Sequence, residues 1–141
     1  MSIEAIANTV RTTFYNEFAI AQPTIEMYFE NQRRDNNDNE HWVMFTLIPG
    51  DTRRADIGNQ KNFRTMGAVN VQVMIPAEAG SSTGLGIVDS VQKILLDRVI
   101  PIAGGGQIVL YGSSVANRGL VNGWHSFSVK CEFRADTQIE R

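Results

Sequence analysis

The stretch Phe63-Arg64-Thr65-Met66-Gly67-Ala68-Val69-Asn70-Val71-Gln72-Val73-Met74-Ile75 decides the fold class. From Val69 onward every second residue is β-branched (Val69, Val71, Val73, Ile75), with Asn70, Gln72 and Met74 in between. Successive side chains of an extended chain point to opposite faces, so this pattern predicts a strand with one buried face, and Gly67 is a candidate bulge. A sheet with one apolar face needs a covering layer, and two segments of the chain can supply it.

The first is Ile3–Phe18, where Ile3, Ile6, Ala7, Val10, Phe14 and Phe18 recur at spacings of three and four, with Glu4, Asn8, Arg11 and Glu17 mostly off the stripe. Ser2 can cap this helix, and Pro23 stops it because it lacks the backbone donor. The second helix runs from a cap at Ser82 or Thr83 to about Arg98, with Ile87, Val88, Val91, Ile94 and Leu95 on its apolar face. Asp89 near its start and Lys93 and Arg98 near its end suit the helix dipole.

Four further strands are predicted at Thr24–Phe29, His41–Ile48 (closed by Pro49-Gly50), Gln107–Tyr111 and Trp124–Ala135. The first two are expected to form an antiparallel hairpin with an overlong polar tip. Gly112–Gly123 reads as a small-residue loop, and Asp136–Arg141 as a fraying tail. The expected class is therefore α+β. One domain over residues 1–141 carries a mostly antiparallel twisted sheet of about five strands, with two helices packed on one face.

At 141 residues, 43% hydrophobic and 20% charged, the chain has ordinary globular composition and enough length for its own core. Thirteen basic against fifteen acidic side chains give a net charge of −2, which argues against a polycation built to grip nucleic acid. The single cysteine, Cys131, allows no internal disulfide and no cysteine zinc site. It shares one strand parity with Phe127, Val129 and Phe133, where a thiol is inert packing. No targeting segment is expected, and no apolar run approaches the roughly 20 residues that span a bilayer. A cytoplasm-like place of synthesis, with release by lysis, is the expectation.

No catalytic residue, metal ligand set or cofactor site is predicted. Gly80–Gly86 opens a helix but lacks the Gly-Lys-Ser/Thr ending of a phosphate loop, so it reads as a turn and cap. His41-Trp42 and Trp124-His125 place imidazole and indole on opposite sheet faces, without metal-ligand spacing. The polar stretches Asn31–Glu40 and Asp51–Asn62 are long for connections inside a small domain. Their arginines keep acidic company, as docking surfaces do. The candidate protein-contact residues are thus Arg33, Arg34, Asp35, Asp51, Arg53, Arg54, Asp56 and Lys61.

The order of features resembles the lambda-type tail terminator (tail completion) proteins of long-tailed bacteriophages. The resemblance is carried by the N-terminal helix leading into Pro23, the strand His41-Trp42-Val43-Met44-Phe45 and the segment Arg64-Thr65-Met66-Gly67-Ala68-Val69-Asn70-Val71-Gln72-Val73. The turn Ile75-Pro76-Ala77-Glu78-Ala79-Gly80 and a closing strand from Trp124 complete it. It implies a structural protein of the virion, not an enzyme. Such a protein forms a hexameric ring on the last ring of tail-tube protein, stops tube growth and presents a surface to the head connector. DNA would pass through its lumen without sequence-specific binding. Another head–tail connector or neck protein is the alternative within that class, and a small-ligand-binding or enzymatic α+β domain the alternative outside it.

Overall fold

Ile6, Ala7, Val10, Phe14 and Phe18 form the buried stripe of helix α1, Ile3–Ala21, in the computed structural model. The structure describes residues 3–29, 41–54, 62–76, 81–102, 105–121 and 123–138. After α1 come strands β1 (Glu26–Phe29), β2 (Trp42–Arg54) and β3 (Asn62–Pro76), helix α2 (Ser81–Leu95), and strands β4 (Arg98–Pro101), β5 (Gln107–Val121) and β6 (Trp124–Gln138). The six strands form one sheet in the order β1-β2-β3-β6-β5-β4.

The alternation in β3 does what its sequence predicts. Val71 stands opposite Phe45 on β2 and Val129 on β6, while Val73 stands opposite Val43 and Phe127, and Val69 opposite Leu47 and Cys131. All nine are buried, and they form one apolar face on which both helices lie. Phe14 stacks on Phe18 at 5.3 Å between ring centroids and tilts against Phe45 at 5.2 Å, which docks α1 on β2. Each such phenyl contributes about 1.5–3 kcal/mol by leaving water. The helices are tied to each other by Gln22 Nε2 donating to Ser90 Oγ at 3.0 Å.

The structure corrects several expectations. The described residues form six strands rather than about five, because Arg98–Pro101 is a short edge strand. Helix α2 stops at Leu95, since Asp97 turns into the left-handed region at φ 53° and ends it. Arg98 nevertheless donates to the carbonyl of Ile94 at 3.2 Å and also pairs with Glu17 of α1. Strands β1 and β2 pair in parallel, Glu26 opposite Trp42, and not as a hairpin. The twelve residues between them match the length a parallel crossover requires.

Strand β2 passes Pro49-Gly50 and runs to Arg54, so the expected Asp51–Asn62 loop is half strand. The register shifts between Pro49 and Thr52, and the ladder resumes with Thr52 opposite Thr65, their hydroxyls 2.9 Å apart. The bulge is therefore on β2, where Gly50 and Asp51 stand against Met66, rather than at Gly67, which pairs with Pro49. Gly112–Gly123 is likewise mostly strand, because β5 pairs with β6 along its whole length. It breaks register at Leu110/Gly112 and Asn117/Gly119, and Gly119, at φ 71°, donates its amide to Asn117 Oδ1. Only β4 pairs with the outer side of β5 among the described residues, and only over Gln107–Leu110. The last strand extends to Gln138, beyond the predicted Ala135. Segment Asn31–Glu40 lies outside the described residues.

Gly84 explains how α2 can lie so close to the sheet. A Cβ there would sit 2.0 Å from Ile75 Cδ1 and 2.6 Å from the Phe127 ring, whereas a Cβ on Gly86 would meet nothing within 4 Å. Gly84→Ala should lower stability by about 1–3 kcal/mol through overpacking. Gly86→Ala, on the same helix, should raise it by about 0.5–1 kcal/mol through propensity alone. Urea unfolding of the two variants measures both signs.

Candidate functional site

The face of the sheet away from the helices carries the residues of opposite parity. Across β2, β3 and β6 the rows read Ile48–Ala68–Glu132 and Thr46–Asn70–Lys130, with Met66 beside Arg134 and Arg64 beside Asp136. Of these, Ile48, Arg64, Met66, Ala68, Lys130 and Glu132, together with Tyr111 of β5, line an open groove of about 920 Å³. Its floor is apolar yet wet: Ile48 is 48% exposed, Met66 47% and Tyr111 38%. Several apolar side chains left together in solvent mark a contact surface more than a soluble face needs.

The rim is charged. Arg64 holds Asp136 with Nε to Oδ1 at 2.8 Å and Nη2 to Oδ2 at 3.4 Å, a forked pair on the half-open surface. Arg53 stands directly opposite Arg64 in the β2–β3 ladder, and Asp51 approaches it at 3.7 Å. Two like charges facing each other across a ladder are thus each accompanied by an acid. Of the residues predicted for partner contact, Asp51 and Arg53 line the groove. Arg54 ends β2 opposite Phe63. Arg33, Arg34, Asp35, Asp56 and Lys61 lie outside the described residues. Ile48, Met66, Tyr111, Lys130 and Glu132 were not predicted. The signal available for Met66, Lys130 and Glu132 was their parity, opposite to the core residues of the same strands.

The other candidates have structural roles. Cys131 is buried beneath α2, its Sγ 3.7 Å from the carbonyl of Leu95. Burial, with Glu132 adding to it, pushes its thiol up to about 11. His125 stacks on Phe127 at 4.8 Å and shares a hydrogen bond with Asn117 Oδ1 at 3.1 Å. Trp124, on the other face, meets Trp42 edge to face at 6.0 Å. Among the described residues no three of His, Cys, Asp and Glu gather as metal ligands would. Nor is any helix long and apolar enough to cross a membrane.

A family model described as "Phage tail terminator protein" matches residues 5–115. No curated protein matches the chain. One solved structure without a functional name is similar at TM-score 0.77 and 14% identity, covering 99% of both chains. Another, from the virion of a native gene transfer agent particle, is similar at TM-score 0.55 and 13% identity, over 94% of this chain and 97% of that one. At these identities the two structures share the fold.

The burial of Cys131 is open to chemical test. Its raised value means that folding stability is lost as pH rises from the ordinary 9.0 toward about 11, where only the unfolded thiol ionises. At pH 8 the folded protein should resist iodoacetamide over hours, while the urea-unfolded chain takes one adduct within minutes. Intact mass reads both.

Proposed function

From the premise that the chain belongs to the phage tail terminator family, we propose that it caps the tail tube as a ring, ends tube polymerisation and forms the joint to the head connector. The family match over residues 5–115 carries this reading. That the protein is a structural component of the phage tail, with its place in the virion, follows from the family and agrees with the gene transfer agent particle sharing its fold. The finer statements are ours: a homo-oligomer of six, a head-proximal position, tail-tube protein on one side and a connector or neck protein on the other.

Physical features support the proposal. A net charge of −2 suits a lumen that lets DNA pass without binding its phosphates. The outer-face groove offers exposed apolar side chains rimmed by mixed charge, the composition of a protein contact. Asp51 and Arg53 belong to that contact, with Arg33, Arg34, Asp35, Arg54, Asp56 and Lys61 in the flanking sequence. The role is assembly, without catalysis or cofactor.

Deleting the gene from its phage tests this directly. Electron micrographs of lysates should show tails of uncontrolled length, separate from filled heads, with both defects reversed by the protein supplied in trans. Tails of normal length that fail to join heads would move the assignment to the neck. Normal joined particles would overturn it.

A further inference from the structure

Helix α2 has a second face that the fold does not use. Its buried residues, Ile87, Val88, Val91, Ile94 and Leu95, cover one side. On the opposite side Leu85, Asp89 and Lys93, with Leu96 one residue past the helix end and its amide still donating to the Gln92 carbonyl at 2.7 Å, fall within roughly 80° of arc at 3.6 residues per turn. Leu85 is 49% and Leu96 48% exposed, and Asp89 and Lys93 are exposed with them.

The groove behind the sheet is complementary to that face. Lys130 and Glu132 project from β6 on the same side, two residues apart, which on a strand is roughly 6.8 Å. Asp89 and Lys93 are four residues apart on a helix, roughly 6 Å along its axis. An acid followed by a base on the helix thus meets a base followed by an acid on the strand at nearly equal spacing. None of the four has an ion-pair partner among the described residues. Beside them, Leu85 and Leu96 find Ile48, Met66 and Tyr111, which are apolar and exposed.

We propose that the outer face of α2 in one copy seats in the sheet groove of the next, with Asp89 against Lys130, Lys93 against Glu132, and Leu85 and Leu96 on the apolar floor. This rests on the ring reading and deepens it. The helix and the groove lie on opposite faces of one sheet, so a molecule cannot satisfy its own groove. Each copy gives its helix to one neighbour and receives from another, the head-to-tail relation from which rings are closed.

The test exchanges charges without altering net charge. Asp89→Lys with Lys93→Glu reverses the helix pattern, and Lys130→Glu with Glu132→Lys reverses the groove. Self-association is followed by sedimentation velocity over a wide concentration range and by negative-stain images of the protein added to purified tail tubes, with thermal melts as the folding control. Each reversed surface alone should weaken association at least tenfold, and the chain carrying both reversals should recover it. Met66→Lys, planted on the apolar floor, should weaken it without recovery. Wild-type rings that persist unchanged in the single-surface variants would overturn this interface while leaving the ring reading intact. A wild-type chain that stays monomeric both free and on tubes would overturn the two together.

Discussion

Val71, held between Phe45 and Val129 on one face of the sheet, stands at the centre of the constraint that organises the molecule. The rows above and below it, Val73 with Val43 and Phe127, and Val69 with Leu47 and Cys131, have the same parity. A slip of one residue in any of the three strands would turn its apolar set to solvent, so the register is strongly specified. Both helices dock on the surface these rows create, and the face behind them is defined at the same time. Ile48, Met66, Lys130 and Glu132 line the groove because their neighbours in sequence line the core.

This coupling determines how much of the molecule could be read from its sequence. The stripe of α1, the alternation of β3 and the apolar face of α2 are legible because burial selects residue type at a period that the backbone dictates. Strand β5 is not legible. Over Gly112–Val121 one of its sides has no neighbouring strand among the described residues, and there the segment carries the glycine, serine and asparagine of a loop. The parallel pairing of β1 with β2 is also hidden, since a strand of four residues shows no orientation in its composition. The charged half of the groove, Asp51 and Arg53, was visible as charge. Its apolar half was not, because a single exposed Met or Ile among polar neighbours is unremarked until the sheet brings several together.

The features that sequence alone would nominate for chemistry serve packing instead. Gly84, in the glycine-rich segment that resembles an anion-binding turn, is the point of closest approach between α2 and the sheet, over Ile75 and Phe127. Cys131 fills the same interface under Leu95. The histidines belong to the ends of their strands, His125 in the stack with Phe127. Small residues and a thiol are here the means by which a helix reaches van der Waals contact with a strand, which leaves the exposed side chains of both layers available for neighbours.

The short reach of β4 bears on solubility. Beyond Leu110 the outer side of β5 has no described partner, and a regular edge of this length would be a template for any extended segment it met. The two register breaks, at Gly112 and Gly119, interrupt that edge with local twist, so that an incoming strand finds only short stretches of regular donors and acceptors. Local twist of this kind keeps a partly unpaired sheet edge from serving as a template for further strands.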